Sequence, residues 1–400
     1  MLHKKGSTRY YGVSYTPITE GAKMVFRSSL SNFWNNIQHT LFPQLEKDLG
    51  ELSANHKKLI AILELIRIEE FVSCSRFYDG RPRKDRKAIA RAYIAKIVFK
   101  FTYTKQLIEY LKVDKTLRHI CGWDIFRKMP SESKFSRAFS EFSKSSLPEK
   151  VHYALVKEVY RNQIVGHVVK DSTPLEVREK HLKKDSLKNR NKLKEEKKRK
   201  QRAGKLLNRR QKQLNETNLE TMIQHLPKLC DKGMKKSAQG FTMTWKGYKL
   251  HAAIDDHCVP LAVVVTSASL NDCEVAIPLA SKCHLVATNF YDLMDAAYDH
   301  PEIKEHSISL GHIPVIDKCP NSQTQKIEKE KEKKRKKILN FKTAEDKRYG
   351  ERMPKERFNA LYKDFNGGRS IFYRGHEKVS CHVMFGVLTV AASIIISLIQ

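Results

Sequence analysis

The hydrophobic pattern of the chain changes near residue 160, and this change limits the folds that the chain can adopt. Before it, apolar residues recur at three- and four-residue steps, most clearly over 59–71 and 89–101, as on one face of a helix. After it, short runs rich in β-branched residues are separated by turn-forming residues, which indicates strands. We therefore predict an all-helical N-terminal domain over 1–150 and an α/β domain over 160–400.

Strands and helices alternate in the second domain. We expect strands at 164–170, 248–254, 259–266, 289–294 and 313–316, and a helix at 271–280. This order predicts a mixed sheet with helices on its faces. A basic insertion, 176–240, and a basic segment, 320–348, interrupt the domain. Each is either a solvated charge run or a contact for nucleic-acid phosphates, and we expect at least one to contact phosphates because both interrupt the α/β core.

The charge balance is strongly positive, with 75 Lys and Arg against 44 Asp and Glu, a net charge of +31. Such an excess attracts polyanions, of which nucleic acid is the commonest large one. A membrane-surface or ribosome-associated protein is the alternative, although neither requires the carboxylate pattern described below. The start of one predicted helix fits a DNA-binding surface and a solvated helix face equally well; its basic residues are Arg81, Arg83, Lys84, Arg86 and Lys87.

Cysteine spacing and the chain ends suggest a cytoplasmic protein. The eight cysteines include no CxxC pair and no cluster at zinc spacing, so we expect reduced, buried thiols. The N-terminal segment has no apolar core of the kind found in secretory signals. The apolar run 383–399 is shorter than the roughly 20 residues that span a bilayer, so we predict a buried helix rather than a tail anchor, and no membrane partner.

Three carboxylates lie where an α/β fold could bring them together. Asp171 is expected to end the first strand, with 172–174 turning the chain away, and Asp295 follows the fourth strand. Glu356 lies on a predicted helix. In-line attack on a DNA phosphodiester can use two Mg²⁺ ions about 3.5–4 Å apart, and such hard cations prefer carboxylate oxygens. Together with the positive charge, this pattern predicts metal-dependent DNA chemistry.

Other polar residues near these positions have simpler explanations. Asp255 and Asp256 occupy a predicted hairpin turn, where Asp is expected for local hydrogen bonding. We expect Asp292 and Asp299 to be surface charges. The remaining two, His251 and Asp272, either lie beside the metal ligands, or face phosphates, or are core and helix-cap residues.

Glu356 belongs to a group of four residues with regular spacing: Tyr349, Arg352, Glu356 and Lys363. Steps of three and four place the first three on one helix face, and Lys363 follows two turns after Glu356. A continuous helix requires Pro354 to lie in its first turn. Two residues of this kind are typical of an exposed ion pair, but four indicate a function.

This group resembles, position for position, the Y-(2)-R-(3)-E-(6)-K signature of bacterial insertion-sequence DDE transposases. Segments 169–173 and 295–298 resemble the first and second aspartate motifs of these enzymes, and 247–251 and 270–272 resemble their second strand and following helix. Segment 80–142 is similar to the helical domain that precedes many such cores. The chain differs in having Ala297 where many relatives have Gly, and in its basic insertion.

The resemblance implies an RNase H-like catalytic core that cleaves DNA and transfers strands. It assigns catalysis and metal binding to Asp171, Asp295 and Glu356, with two Mg²⁺ ions for which Mn²⁺ can substitute. The implied DNA-binding residues are Tyr349, Arg352 and Lys363. The implied partner is double-stranded DNA, as transposon ends with terminal inverted repeats and as target, held by a dimer at synapsis in the bacterial nucleoid. The helical domain over 1–150 would bind the ends.

Two alternatives remain open at this level. One is a basic nucleic-acid-binding protein without catalysis. The other is a structure-specific nuclease on the same fold, which cuts DNA but does not join it.

Overall fold

The structure is a computed structural model that describes residues 31–73, 85–124, 126, 128–161, 163–179, 195, 199, 207–236, 240–318, 323–369 and 371–399. The predictions for Arg81, Arg83 and Lys84, and for residues 180–194, 196–198, 200–206 and 237–239 of the basic insertion, lie outside the described residues.

The N-terminal region is helical, as predicted. Capping residues set its boundaries: the Ser53 side chain accepts a hydrogen bond from the His56 backbone N–H, and the Asp85 carboxylate accepts from Lys87 and Ala88. The Tyr93 ring contacts the rings of Phe135, Phe139 and Phe142, which joins two of the helices. The helices are α1 (Phe42–Leu49), α2 (Ala54–Ile66), α3 (Arg86–Val98), α4 (Thr104–Val113), α5 (Lys115–Ile120), α6 (Glu132–Lys144) and α7 (Leu147–Tyr160).

A mixed sheet follows, with the strands β1 (Ile164–Glu176), β2 (Asp231–Lys236), β3 (Thr242–Ile254), β4 (Pro260–Ser267), β5 (Thr288–Met294) and β6 (Ile313–Ile316). The order β4-β3-β1-β5-β6 is antiparallel from β4 to β1 and parallel from β1 to β6. The predicted mixed α/β class is confirmed, and the order is consistent with an RNase H-like core.

The remaining helices flank the sheet or extend from it. They are α8 (Arg209–Leu214), α9 (Leu219–Gln224), α10 (Ala276–His284), α11 (Pro301–Ser309), α12 (Gln323–Ile338), α13 (Ala344–Gly350), α14 (Met353–Ala360) and α15 (His376–Ile399). The helix predicted at 271–280 starts later, after a short 3₁₀ turn at Asp272–Glu274.

The predicted end of the first strand is wrong. β1 continues through Asp171 to Glu176, and residues 172–174 do not turn the chain. β5 pairs with β1 only as far as Val169, so one edge of β1 is free beyond that point. Pro174, which has no N–H to donate, is tolerated there while the other edge pairs with β3.

α15 is the central element of the core. Its side chains pack against the N-terminal helices on one side and against β3 and β4 on the other. By length and composition α15 could cross a bilayer, but most of it is buried inside the protein. The predicted buried helix is present, and it joins the two parts of the chain.

Candidate active site

Asp171 lies on the sheet face that α14 covers. Its Oδ2 is 3.2 Å from Lys355 Nζ, and both side chains are partly buried. Leu175 comes four residues after Asp171 in β1 and therefore lies on the same face of the sheet. It packs in the cluster that contains Phe358 of α14. Alternation along β1 therefore directs the Asp171 carboxylate toward this helix.

Asp295 lies immediately after β5, which runs parallel to β1. It caps a 3₁₀ turn, and its Oδ1 accepts a hydrogen bond from the Ala297 N–H at 3.0 Å. Burial raises the pKa of Asp295, and the nearby Asp171 charge raises it further, while Arg352 and Lys355 lower it. The structure thus brings Asp171 and Asp295 close enough to interact.

Glu356 lies on α14, where Pro354 occupies the first turn as continuity of this helix requires. The Glu356 side chain is exposed. Its neighbour in sequence, Lys355, occupies the position beside Asp171. Within the described ranges, no group of three His, Cys, Asp or Glu side chains is arranged to hold a metal ion. The structure therefore gathers two of the three predicted carboxylates and leaves the third on the adjacent helix surface.

The other residues of the spacing pattern lie on several short segments. Tyr349 belongs to α13 and Arg352 to the junction before α14, so the single helix expected over 349–363 is interrupted. Arg352 nevertheless donates a hydrogen bond to the Tyr349 hydroxyl, and its Nε is buried without a partner among the described residues. Lys363 follows α14 in a π-helical turn and is half-buried.

A polar network lies beside the carboxylates, and its members Tyr298 and Lys249 were not predicted from the sequence. Tyr298 is fully buried, its hydroxyl has no partner among the described residues, and burial together with Asp272, Asp171 and Asp295 raises its pKa well above the ordinary value. Asp272 accepts from Lys249 Nζ at 2.9 Å. Burial acts to raise the pKa of Asp272, but His251, Lys249 and a hydrogen bond from Ser172 bring it below its ordinary value. The only sequence signal was the presence of these residues in the motif segments.

His251 is a core residue rather than an exposed ligand. Its side chain is fully buried, Nε2 lies 2.9 Å from Thr266 Oγ1, and Nδ1 is 4.0 Å from the Asp272 carboxylate. Burial lowers the pKa of His251 to about 4. At neutral pH it is an uncharged imidazole.

The donor chemistry around Asp171 and Asp295 fits a hard divalent cation. Two interacting carboxylates favour a positive charge between them, and Lys355 supplies one such charge. The Glu356 carboxylate is exposed and has no ion-pair or hydrogen-bond partner among the described residues, so it is available as a further oxygen ligand.

The comparison with protein families agrees with this geometry. Residues 166–391, more than half of the chain, match the family model described as "Transposase DDE domain". The chain belongs to the DDE transposase family. Residues 46–141 match a second model, described as "Transposase domain (DUF772)". No curated protein and no solved structure matches the chain.

Membership in the DDE transposase family identifies an enzyme of DNA transposition, from a family that generally depends on divalent metal ions. Asp171, Asp295 and Glu356 all lie inside the matched DDE region. The roles of these three residues, and of Tyr349, Arg352 and Lys363, stay predictions.

The basic cluster at the start of α3 has only a small described part. Arg86 pairs with Glu141, its Nε lying 2.7 Å from Oε2, which favours a structural role for this arginine. Lys87 is partly buried. The described residues therefore favour neither interpretation of the cluster as a whole.

Proposed function

We propose that this transposase cuts DNA at the terminal inverted repeats of an insertion sequence and joins the new 3′ ends to target DNA. The observation that carries the proposal is the interacting pair Asp171 and Asp295, which lies beside the helix of Glu356 within the DDE region. These three residues would hold two Mg²⁺ or Mn²⁺ ions. When bound, such ions supply activation of the attacking oxygen and stabilisation of the leaving oxygen.

The protein side chains contribute rigidity and charge. Asp171 is fixed by pairing of β1 with β3, and Asp295 by its cap at the end of β5. Arg352, with a buried and unpartnered Nε next to Asp295, can donate to a phosphate oxygen. Water attack at the transposon end releases a 3′-hydroxyl, and this hydroxyl then attacks a target phosphodiester in line.

End recognition is assigned to the helical N-terminal domain over 1–150. Its support is the match of residues 46–141 to a second transposase domain. Joining two ends to one target requires both ends in one complex, so we propose a dimer on DNA.

Carboxylate variants test the metal-dependent reaction. The substrate is a labelled duplex carrying the inverted repeat that flanks the gene, incubated with Mg²⁺. Asp295→Asn and Glu356→Gln should each lower cleavage about a thousandfold, since loss of metal stabilisation is worth several kcal/mol of barrier. Duplex binding should remain. The matched control is Glu351→Gln, because Glu351 is exposed on the same segment, five residues before Glu356.

The outcomes separate the candidate functions. If Glu356→Gln cleaves the duplex as fast as Glu351→Gln, Glu356 is not part of the catalytic site. Cleavage without joining to a target duplex would indicate a nuclease, and DNA binding without Mg²⁺-dependent cleavage would indicate a non-catalytic protein.

A further inference from the structure

A two-stranded ribbon, formed by β2 and residues 242–247 of β3, extends beyond the main sheet. β4 pairs with β3 only from Tyr248 onward, and the ladder with β1 ends at Gly247. Among the described residues, 242–245 pair with β2 alone, and Lys246 pairs with β2 and also accepts a hydrogen bond from the Val177 N–H. The ribbon was not predicted, because its first strand lies inside the basic insertion. A two-stranded ribbon is marginally stable alone in water, so its open faces are suited to a partner.

Two lysines face each other across this ribbon. Lys232 pairs directly with Lys246 in the strand register, and like charges at such positions destabilise a sheet. Both side chains are exposed, and neither has an ion-pair partner in the part of the chain that the structure describes. They line a cavity of about 480 Å³ together with Trp245 and Glu176. Two positive charges against one negative charge favour an anion in this cavity.

Packing of Trp245 against Gly233 fixes the two strands of the ribbon relative to each other. The Trp245 ring lies over Gly233, where even a Cβ atom would come within 2.4 Å of the ring. Trp245 Nε1 also donates to the Tyr248 carbonyl at 3.1 Å. Only glycine fits opposite this tryptophan, and the packed ring holds the two strands in the register that opposes Lys232 and Lys246.

The ribbon also approaches the end of the helix that carries Glu356. Lys235 of β2 is close enough to Lys363 for their charges to interact. Burial lowers the pKa of Lys363, the charges of Arg369 and Lys235 lower it further, and the carboxylates of Asp364 and Glu176 raise it. Positive and negative side chains therefore both lie between the end of this helix and the ribbon, and Arg369 is paired with Asp364.

The spacing suits a DNA strand. Glu176, at the base of the ribbon, comes five residues after Asp171 in β1, a distance of about 17 Å in an extended strand. Phosphates in one strand of B-DNA are spaced about 3.4 Å apart along the axis, so the ribbon lies roughly five nucleotides from the carboxylates.

We propose that Lys232 and Lys246 form a phosphate-binding clamp for the DNA backbone that continues past Lys363 from the cleavage site. The two ammonium groups share a phosphate or bind adjacent ones, which removes their mutual repulsion. The contact is independent of base sequence. Phosphate binding by the two lysines rests on DNA as the substrate of the family, whereas the path of the strand from the cleavage site rests on the proposed carboxylates.

The test is the salt dependence of binding to a fluorescein-labelled duplex, measured by fluorescence anisotropy with the full-length protein. Each lost phosphate contact reduces the slope of log Kd against log salt concentration by about 0.9. Lys232→Gln/Lys246→Gln should therefore reduce it by about 0.9 if the two lysines share one phosphate and by about 1.8 if they bind adjacent ones. The matched control is Lys228→Gln/Lys378→Gln. It removes the same charge from two exposed lysines of the same domain that lie off the ribbon, and its slope should stay near that of the wild type.

Three results complete the design. Lys232→Arg/Lys246→Arg should keep the wild-type slope, because arginine also binds phosphate. The melting temperature of the glutamine pair should not fall, since a repulsive pair has been removed. An unchanged slope for the glutamine pair, or an equal loss in the control, overturns the clamp. Because Asp295→Asn tests cleavage and these variants test binding, failure of one proposal leaves the other measurable.

Discussion

The strands β1 and β5 carry two groups of charged side chains that differ in burial and in their partners. One contains Lys170 and Asp292, and the other contains Asp171 and, just after β5, Asp295. Asp292 is completely buried and its Oδ2 is 2.6 Å from the buried Lys170 Nζ. Asp171 follows Lys170 directly, and Asp295 comes three residues after Asp292. Both are only partly buried, and Lys355 reaches Asp171 from a separate helix. One pair belongs to the interior, and the other borders the surface on which substrate is expected.

The buried group is fully compensated. Asp292 also accepts hydrogen bonds from Asn289 at 3.0 Å and Ser307 at 2.8 Å, and His312 lies 3.4 Å away. Burial alone would raise the pKa of Asp292, but the Lys170 ammonium and the His312 ring hold it well below its ordinary value. By contrast, burial and Asp171 raise the pKa of Asp295. The protein supplies several partners to Asp292 in the interior, whereas Lys355, Arg352 and the Ala297 N–H only partly offset the raised pKa of Asp295.

The largest expected effect is on folding. Asp292→Ala leaves Lys170 charged and unpaired in the interior, so it should lower the free energy of unfolding by about 3–5 kcal/mol. Asp171→Ala breaks a partly exposed ion pair and should cost less than about 1 kcal/mol. Urea denaturation followed by tryptophan fluorescence measures both.

Replacing both charges provides the control for this comparison. Lys170→Met/Asp292→Leu removes the pair without leaving a buried charge, and it should be more stable than Asp292→Ala. Equal losses from Asp292→Ala and Asp171→Ala would mean that the two groups do not differ in the way described.

This contrast also shows what the sequence could and could not predict. Alternation and β-branched runs located β1 and β5, but the expectation that Asp292 is a surface charge was wrong. A carboxylate three residues before Asp295 has the same local sequence signals as an exposed one. Its burial depends on Lys170, Ser307 and His312, which come from β1, α11 and the loop before β6 and meet only in the folded protein.

The helix that carries Glu356 differs from the single helix predicted from the residue spacing. The spacing of Tyr349, Arg352 and Glu356 assumes one helical phase, but the chain breaks between α13 and α14. After the break, the residue that meets Asp171 is Lys355. Sequence spacing specifies a helix face only where the hydrogen-bond ladder is continuous.

The second effect is a pH dependence of the free energy of unfolding, which comes from His306 near the buried Lys170 and Asp292. Burial and the nearby Lys170 ammonium lower the pKa of His306 to about 4, from an ordinary value of 6.5. The unfolded chain therefore takes up this proton first as the pH falls below 6.5, and stability is lost between pH 6.5 and 4. The contribution is at most about 1.4 kcal/mol per pH unit.

His306→Gln isolates this contribution, since glutamine can still bond Ser281, which lies 2.9 Å from His306 Nε2. Its unfolding free energy should fall less steeply than that of the wild type from pH 6.5 to pH 4. The control is His225→Gln, at an exposed histidine after α9. Parallel curves for His306→Gln and the wild type would contradict the expected effect.

The smallest effect concerns Lys355, which supplies to Asp171 the positive charge that Lys170 supplies to Asp292. If Lys355 competes with a cation for Asp171, Lys355→Gln should tighten Mn²⁺ binding about three- to tenfold, a difference of at most about 1.4 kcal/mol. Titration calorimetry measures it, with Lys347→Gln as the control at an exposed lysine of α13. Weaker Mn²⁺ binding by Lys355→Gln would instead mean that Lys355 positions Asp171 for the ion.

A buried lysine such as Lys170 cannot be exchanged for an ion from solvent. Lys355 lies near the surface on a separate helix, so its ammonium can leave Asp171 when a cation arrives.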